Sequence, residues 1–169
     1  HRLSGHRLLD ELRLLFSERT PGHAVRRLAD LDLLRFIHPK LTWSARLSRR
    51  VTDLEAALDW YRLSCPDHPI NRWLVYAMAL AEVLPDQAVR DMLARFPFTE
   101  VERSAITQAR FLTQPVCRTL SRRVPLRPSE TVATLSSLSE ECVLFLLAKV
   151  PSETAKRHVT QYVTTYRHV

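Results

Sequence analysis

The chain has 169 residues, 46% of them hydrophobic and 25% charged, which suits one globular domain or two small helical subdomains and excludes a disordered tract. Its formal charge is +7, a balance that favours a polyanionic partner. Only two glycines occur, Gly5 and Gly22, which excludes a glycine-rich phosphate loop and a fold of tight hairpins.

Ten prolines supply the punctuation instead, and the segments between them read as helices. Ser4 is placed to cap the first, with Leu8, Leu12, Leu15 and Phe16 following at helical spacing. Thr20-Pro21 starts a second, which turns Val25, Leu28 and Ala29 inward and ends near Leu31–Leu34. Phe36-Ile37-His38-Pro39 stops it, because the residue before proline avoids the helical region. A third helix over 44–63 carries the stripe Leu47, Val51, Leu54, Leu58 and Tyr61. The fourth, over 71–84, is apolar nearly all round apart from Glu82, as a central buried helix is.

Pro85-Asp86 opens a fifth helix, with Val89, Met92, Leu93 and Phe96 inward. Thr99-Glu100-Val101-Glu102 is a capping box that starts a long helix, kinked or broken at Pro115. Residues 124–128 read as extended loop. Ser129, Ser139 and Ser152 are each placed to cap one of three further helices. The last keeps Val159, Tyr162, Val163 and Tyr166 on one face despite its threonines. No segment alternates at period two, so the reading is an all-α, two-layer arrangement of about nine helices.

Sites for chemistry are scarce. Asp30-Leu31-Asp32 has the spacing of a two-carboxylate metal motif, but that chemistry needs a strand and a phosphate-holding loop beside it, and here the pair ends a helix. Seven histidines show no His-Glu-x-x-His spacing, and Asp67-His68 reverses the His-Asp order of helical phosphohydrolases. Cys65, Cys117 and Cys142 form no zinc or disulfide pattern and fit a reducing cytosol. Cys142, Trp60 and Trp73 read as core residues, and Trp43, in a short loop, is the exception to watch among the tryptophans. No catalytic residue and no metal site is expected. No apolar run is long enough for a membrane span. The chain starts at His1 rather than methionine and stops at Val169 within a helical pattern, so a longer parent protein is expected at both ends.

The basic residues are the functional candidates. Residues 95–127 hold seven arginines against two glutamates. Arg110, Arg118, Arg122, Arg123 and Arg127 fall there, and Arg103, Arg110 and Arg118 share a face if the long helix continues past Pro115. Lys156 and Arg157 open the last helix. Guanidinium groups grip phosphate at two points, and duplex RNA offers shape and backbone rather than readable major-groove edges.

Leu3, Ser4, Arg7, Leu8, Glu11 and Leu12 resemble the Ile-Ser-x-Glu-Arg-Ile-x-x-Glu-Leu segment that closes the catalytic half of bacterial tRNA nucleotidyltransferases, the CCA-adding and A-adding enzymes of the poly(A) polymerase type. His6 departs from that pattern, standing where the family often has glutamate. Leu28, Leu31, Leu33, Leu34, Phe36, Ile37 and Pro39 resemble the leucine-rich segment that follows. Leu58-Asp59-Trp60-Tyr61-Arg62-Leu63 and Arg72-Trp73-Leu74-Val75-Tyr76 resemble the helical body of a bacterial subgroup whose polymerase part follows phosphoesterase-like and CBS domains.

The resemblance implies a parent enzyme that adds nucleotides to the tRNA 3′ end with two magnesium ions and ATP or CTP. The metal carboxylates would lie upstream of this chain, which would itself hold no cofactor. Residues 1–40 would be the end of the neck, with Ser4, Arg7 and Glu11 orienting the first helix against the catalytic head. Residues 41–169 would be the RNA-binding body, positioning the acceptor and T-arm of tRNA in the cytoplasm. The alternative reading is a protein-binding scaffold of paired helices, which the lack of a fixed repeat length disfavours.

Overall fold

The computed structural model describes residues 4–168. Ten α-helices follow in order: α1 (Gly5–Ser17), α2 (Pro21–Asp30), α3 (Ala45–Ser64), α4 (Arg72–Glu82), α5 (Asp86–Arg95), α6 (Glu100–Phe111), α7 (Thr113–Leu120), α8 (Pro128–Leu135), α9 (Glu140–Lys149) and α10 (Glu153–Thr164). Short 3-10 turns stand at Leu34–Phe36 and Tyr166–His168. The described residues contain no strand. Leu3, the first residue of the family resemblance, lies outside them.

Hydroxyl caps set most of the starts. Ser4, Ser44, Ser139 and Ser152 each accept the backbone N–H three residues on, and Thr99 does so within a complete capping box with Glu102. The α2 terminus is a Schellman motif. Leu33 N–H reaches Leu28 O at 2.7 Å and Asp32 N–H reaches Ala29 O at 3.0 Å, which puts Asp32 in the left-handed region with φ 55°. Helix α2 therefore stops at Asp30, short of the predicted end.

Two helices form the centre. Every residue of α4 from Trp73 to Glu82 is buried, and α4 packs against α1, α3, α6 and α9. Helix α9 is buried from Cys142 to Leu147 and packs against α3, α4, α6, α7 and α10. Each fully buried Leu or Phe here contributes about 1.5–3 kcal/mol relative to exposure. One cluster of buried side chains runs from Leu9 in α1 to Val163 in α10.

The expected break of the long helix is present, and two other expectations need correction. The long helix breaks at Leu112, three residues before Pro115, because proline lacks an N–H and crowds the carbonyl four residues back. Pro115 then sits in the first turn of α7, which makes ten helices instead of about nine. Ser129 is not a cap: α8 starts at Pro128, and the Glu130 carboxylate accepts the Arg127 backbone N–H at 2.8 Å. Tyr166 lies in the terminal 3-10 turn, after α10 has ended at Thr164.

Candidate nucleic-acid interface

The predicted basic residues divide into two groups. Arg118 on α7, Arg122 and Arg123 in the turn after it, and Arg157 on α10 are exposed. Among the described residues they form no ion pair. The other group is engaged. Arg110 pairs with Asp86, Arg127 with Glu130 at 3.4 Å and Lys156 with Glu153 at 3.0 Å. The Glu130 carboxyl is held below its ordinary range by the Arg127 backbone N–H first and by the guanidinium second. Arg103 does not share a face with Arg118. The Arg103 guanidinium instead caps α5 through Leu93 O and Phe96 O.

His158 connects the two basic segments. It is buried on α10, and its Nε2 accepts the Leu126 N–H at 3.3 Å. Its Nδ1 faces the Thr131 hydroxyl at 3.3 Å, which donates in turn to Arg127 O at 3.2 Å. The turn carrying Arg122 and Arg123 is therefore fixed against the helix carrying Lys156 and Arg157.

Lys156 and Arg157 also line a cleft of about 720 Å³ between α3 and the α9–α10 junction. Arg49, Arg50, Lys149 and half-buried Trp60 complete its polar and aromatic lining, with Asp53 and Glu153 as the acidic members. Beneath it Glu82, 4% exposed, binds Arg50 Nε at 2.7 Å, Lys149 Nζ at 3.3 Å and Arg46 at 3.6 Å. Burial alone would raise the Glu82 carboxyl, but the hydrogen bonds and charges of Arg50 and Lys149 outweigh it and hold it below the ordinary range. Arg50 also donates to Ala148 O at 2.6 Å, and Lys149 to buried Thr113 at 2.9 Å. One carboxylate among three cations leaves the floor positive and rigid. Sequence reasoning missed Arg49, Arg50, Lys149 and the role of Glu82. The signal was present in a lone charge within an apolar helix and in adjacent arginines on α3.

Asp30 and Asp32 do not form a carboxylate pair. Asp30 is bound to Arg26 and Asp32 to Arg35, each at 3.0 Å, at an exposed helix end. They do not fit the two-metal nucleotide site that the resemblance implies for the parent. Among the described residues no three of His, Cys, Asp and Glu gather as a metal-binding group. Trp73 is buried and stacked on Phe98, whereas Trp43 is half-buried under Arg26. Ser4 caps α1, while Arg7 and Glu11 are exposed and unpaired among the described residues. No single helix among them is long and apolar enough to cross a membrane.

No family model matches the chain. It is 32% identical over 172 residues to an A-adding tRNA nucleotidyltransferase of Geobacter sulfurreducens, covering 99% of this chain and 20% of that protein. Over nearly its whole length the chain is similar to one region of a tRNA nucleotidyltransferase. It spans about a fifth of that relative's length. Solved structures share the fold: a tRNA-processing enzyme in its apo form I matches 100% of the chain with 43% of its own, at a TM-score of 0.84 and 19% identity. A Thermotoga maritima CCA-adding enzyme complexed with tRNA matches 96% of the chain with 38% of its own, at a TM-score of 0.74 and 20% identity. The all-α reading and the family resemblance both hold, and the family's relatives contain this fold as one region of a longer protein.

Proposed function

We propose that this chain is the tRNA-holding helical region of a nucleotidyltransferase that adds A or CCA to tRNA 3′ ends, with no catalytic residue of its own. The observation that carries the reading is the group of unpaired cations Arg118, Arg122, Arg123 and Arg157, fixed on one junction by His158. Arg127 and Lys156, in exposed ion pairs, exchange their carboxylates for phosphate at small cost, since such pairs contribute only about 0–1 kcal/mol. Arg110 is the weakest member, because Asp86 already occupies it.

The enzyme named in the 32% relative and the tRNA in one structural neighbour support this partner. Residues 1–40 serve as the end of the neck in this reading, and residues 41–169 as the body that receives the acceptor and T-arm. Exposed Arg7 and Glu11 then face the catalytic head of the same protein, which holds the magnesium ions and ATP or CTP. The work belongs to the cytoplasm.

Fluorescence-anisotropy titration with tRNA and with duplex DNA of similar length, at two salt concentrations, tests the proposal. Salt-dependent binding that prefers tRNA is expected. Equal weak binding to both would reduce the surface to generic basic charge and remove the tRNA assignment.

A further inference from the structure

The α3–α10 cleft is concave and gathers Arg49, Arg50, Lys149, Lys156 and Arg157 around Trp60. Its volume of about 720 Å³ falls within the roughly 300–1,000 Å³ of small-ligand sites, whereas duplex RNA is gripped across open grooves. Two of its cations, Arg50 and Lys149, are locked by Glu82 and by Ala148 and Thr113, so they need no ordering when a ligand enters. Its acidic members are occupied, Glu153 by Lys156 at 3.0 Å and Asp53 by Arg50 at 3.9 Å. Arg49 and Arg157, both exposed, enter no ion pair among the described residues. Trp60 supplies an aromatic wall, since it is only half-buried.

We propose that this cleft takes one unpaired nucleotide of RNA, its phosphate held by Arg49 and Arg157 and its base stacked on Trp60. The inference rests on the RNA-holding reading and adds a component that reads an unpaired residue, separate from the Arg118–Arg127 segment. Planar guanidinium groups suit a phosphate diester, and aromatic stacking accepts any base, so the cleft selects single-stranded character over sequence.

The test is titration of the 169-residue chain with a single-stranded RNA of about four nucleotides, following tryptophan emission. Binding that quenches emission is expected, with the quench lost in Trp60→Phe. Arg49→Ala and Arg157→Ala should each weaken the tetranucleotide by about tenfold. The Arg122→Ala/Arg123→Ala double variant should weaken tRNA and leave the tetranucleotide unchanged. A quench that survives in Trp60→Phe overturns the inference, because the signal would then come from another tryptophan. If tRNA binds and the tetranucleotide does not, the cleft proposal falls and the RNA-holding reading stands. If neither binds, both fall.

Discussion

The backbone N–H of Leu126 is held by the Nε2 of buried His158 at 3.3 Å, which makes one surface out of two basic segments 32 residues apart in the chain. The contact places the imidazole proton on Nδ1, directed at Thr131. His158→Leu leaves the Leu126 N–H without its partner and costs about 1–3 kcal/mol. Amide exchange at Leu126 should quicken, and tRNA affinity should fall although no arginine has changed. Unaltered exchange at Leu126 would remove this imidazole from the account of the loop.

Glu82 makes a separate demand on stability. Removing the carboxylate leaves Lys149 without its counter-charge and Arg50 with only the longer contact to Asp53, so Glu82→Gln should cost about 3–5 kcal/mol in denaturant unfolding at pH 7. The direction with pH follows from its lowered carboxyl. The unfolded chain takes up the proton first, so the stabilisation is complete above the ordinary glutamate range and fades as pH falls through the depressed folded value. Between pH 7 and pH 4 the native chain should therefore lose more stability than Glu82→Gln. Parallel losses would show that the carboxylate is not held by its neighbours.

The helices were legible because their signals are local. A hydroxyl before an apolar stripe marks Ser4, Ser44, Thr99, Ser139 and Ser152, and uniform apolarity marks α4. The site was legible only in part, because charge along a chain does not reveal pairing across it. Arg103 and Arg110 looked like Arg118 in sequence, yet one caps α5 and the other meets Asp86, 24 residues earlier. Arg49, Arg50 and Lys149 gained their role from the packing of α3 against α9, where Arg50 meets Ala148 98 residues away, a contact that no local pattern encodes.

Gly5 is required for a close approach. A Cβ there would stand 2.7 Å from the Arg95 backbone carbonyl oxygen, which cannot swing aside. Gly5→Ala should therefore destabilise by about 1–3 kcal/mol, against the usual gain for alanine in a helix. At Gly22 the Cβ meets the end of the Glu55 side chain, which can move, with Val51 at 3.0 Å behind it. Gly22→Ala should cost less than Gly5→Ala in the same unfolding assay, and the reverse order would contradict the packing of α1 on α5.

The three cysteines should be inert in the native chain. All are buried, and burial pushes the Cys142 thiol up to about 12 and raises those of Cys65 and Cys117. A thiol reagent at pH 8 should label none within minutes and all three once denaturant unfolds the chain. Rapid native labelling of Cys142 would show that the α9 core opens readily.

The arginines of the α7–α8 turn carry the most direct prediction. Each phosphate neutralised releases counterions, so the logarithm of affinity falls with the logarithm of salt at about 0.9 unit per contact on a duplex. Arg122 and Arg123 are exposed and form no ion pair among the described residues, and Arg122 reaches Glu130 only through its charge, so neither replacement breaks an internal contact. The Arg122→Ala/Arg123→Ala double variant should unfold at the native denaturant midpoint, lower the salt slope for tRNA by roughly two units and weaken binding most at low salt. An equal loss at every salt concentration would mean a displaced loop instead of lost phosphate contacts. An unchanged slope would move the RNA path away from this turn and onto the α3–α10 side of the molecule.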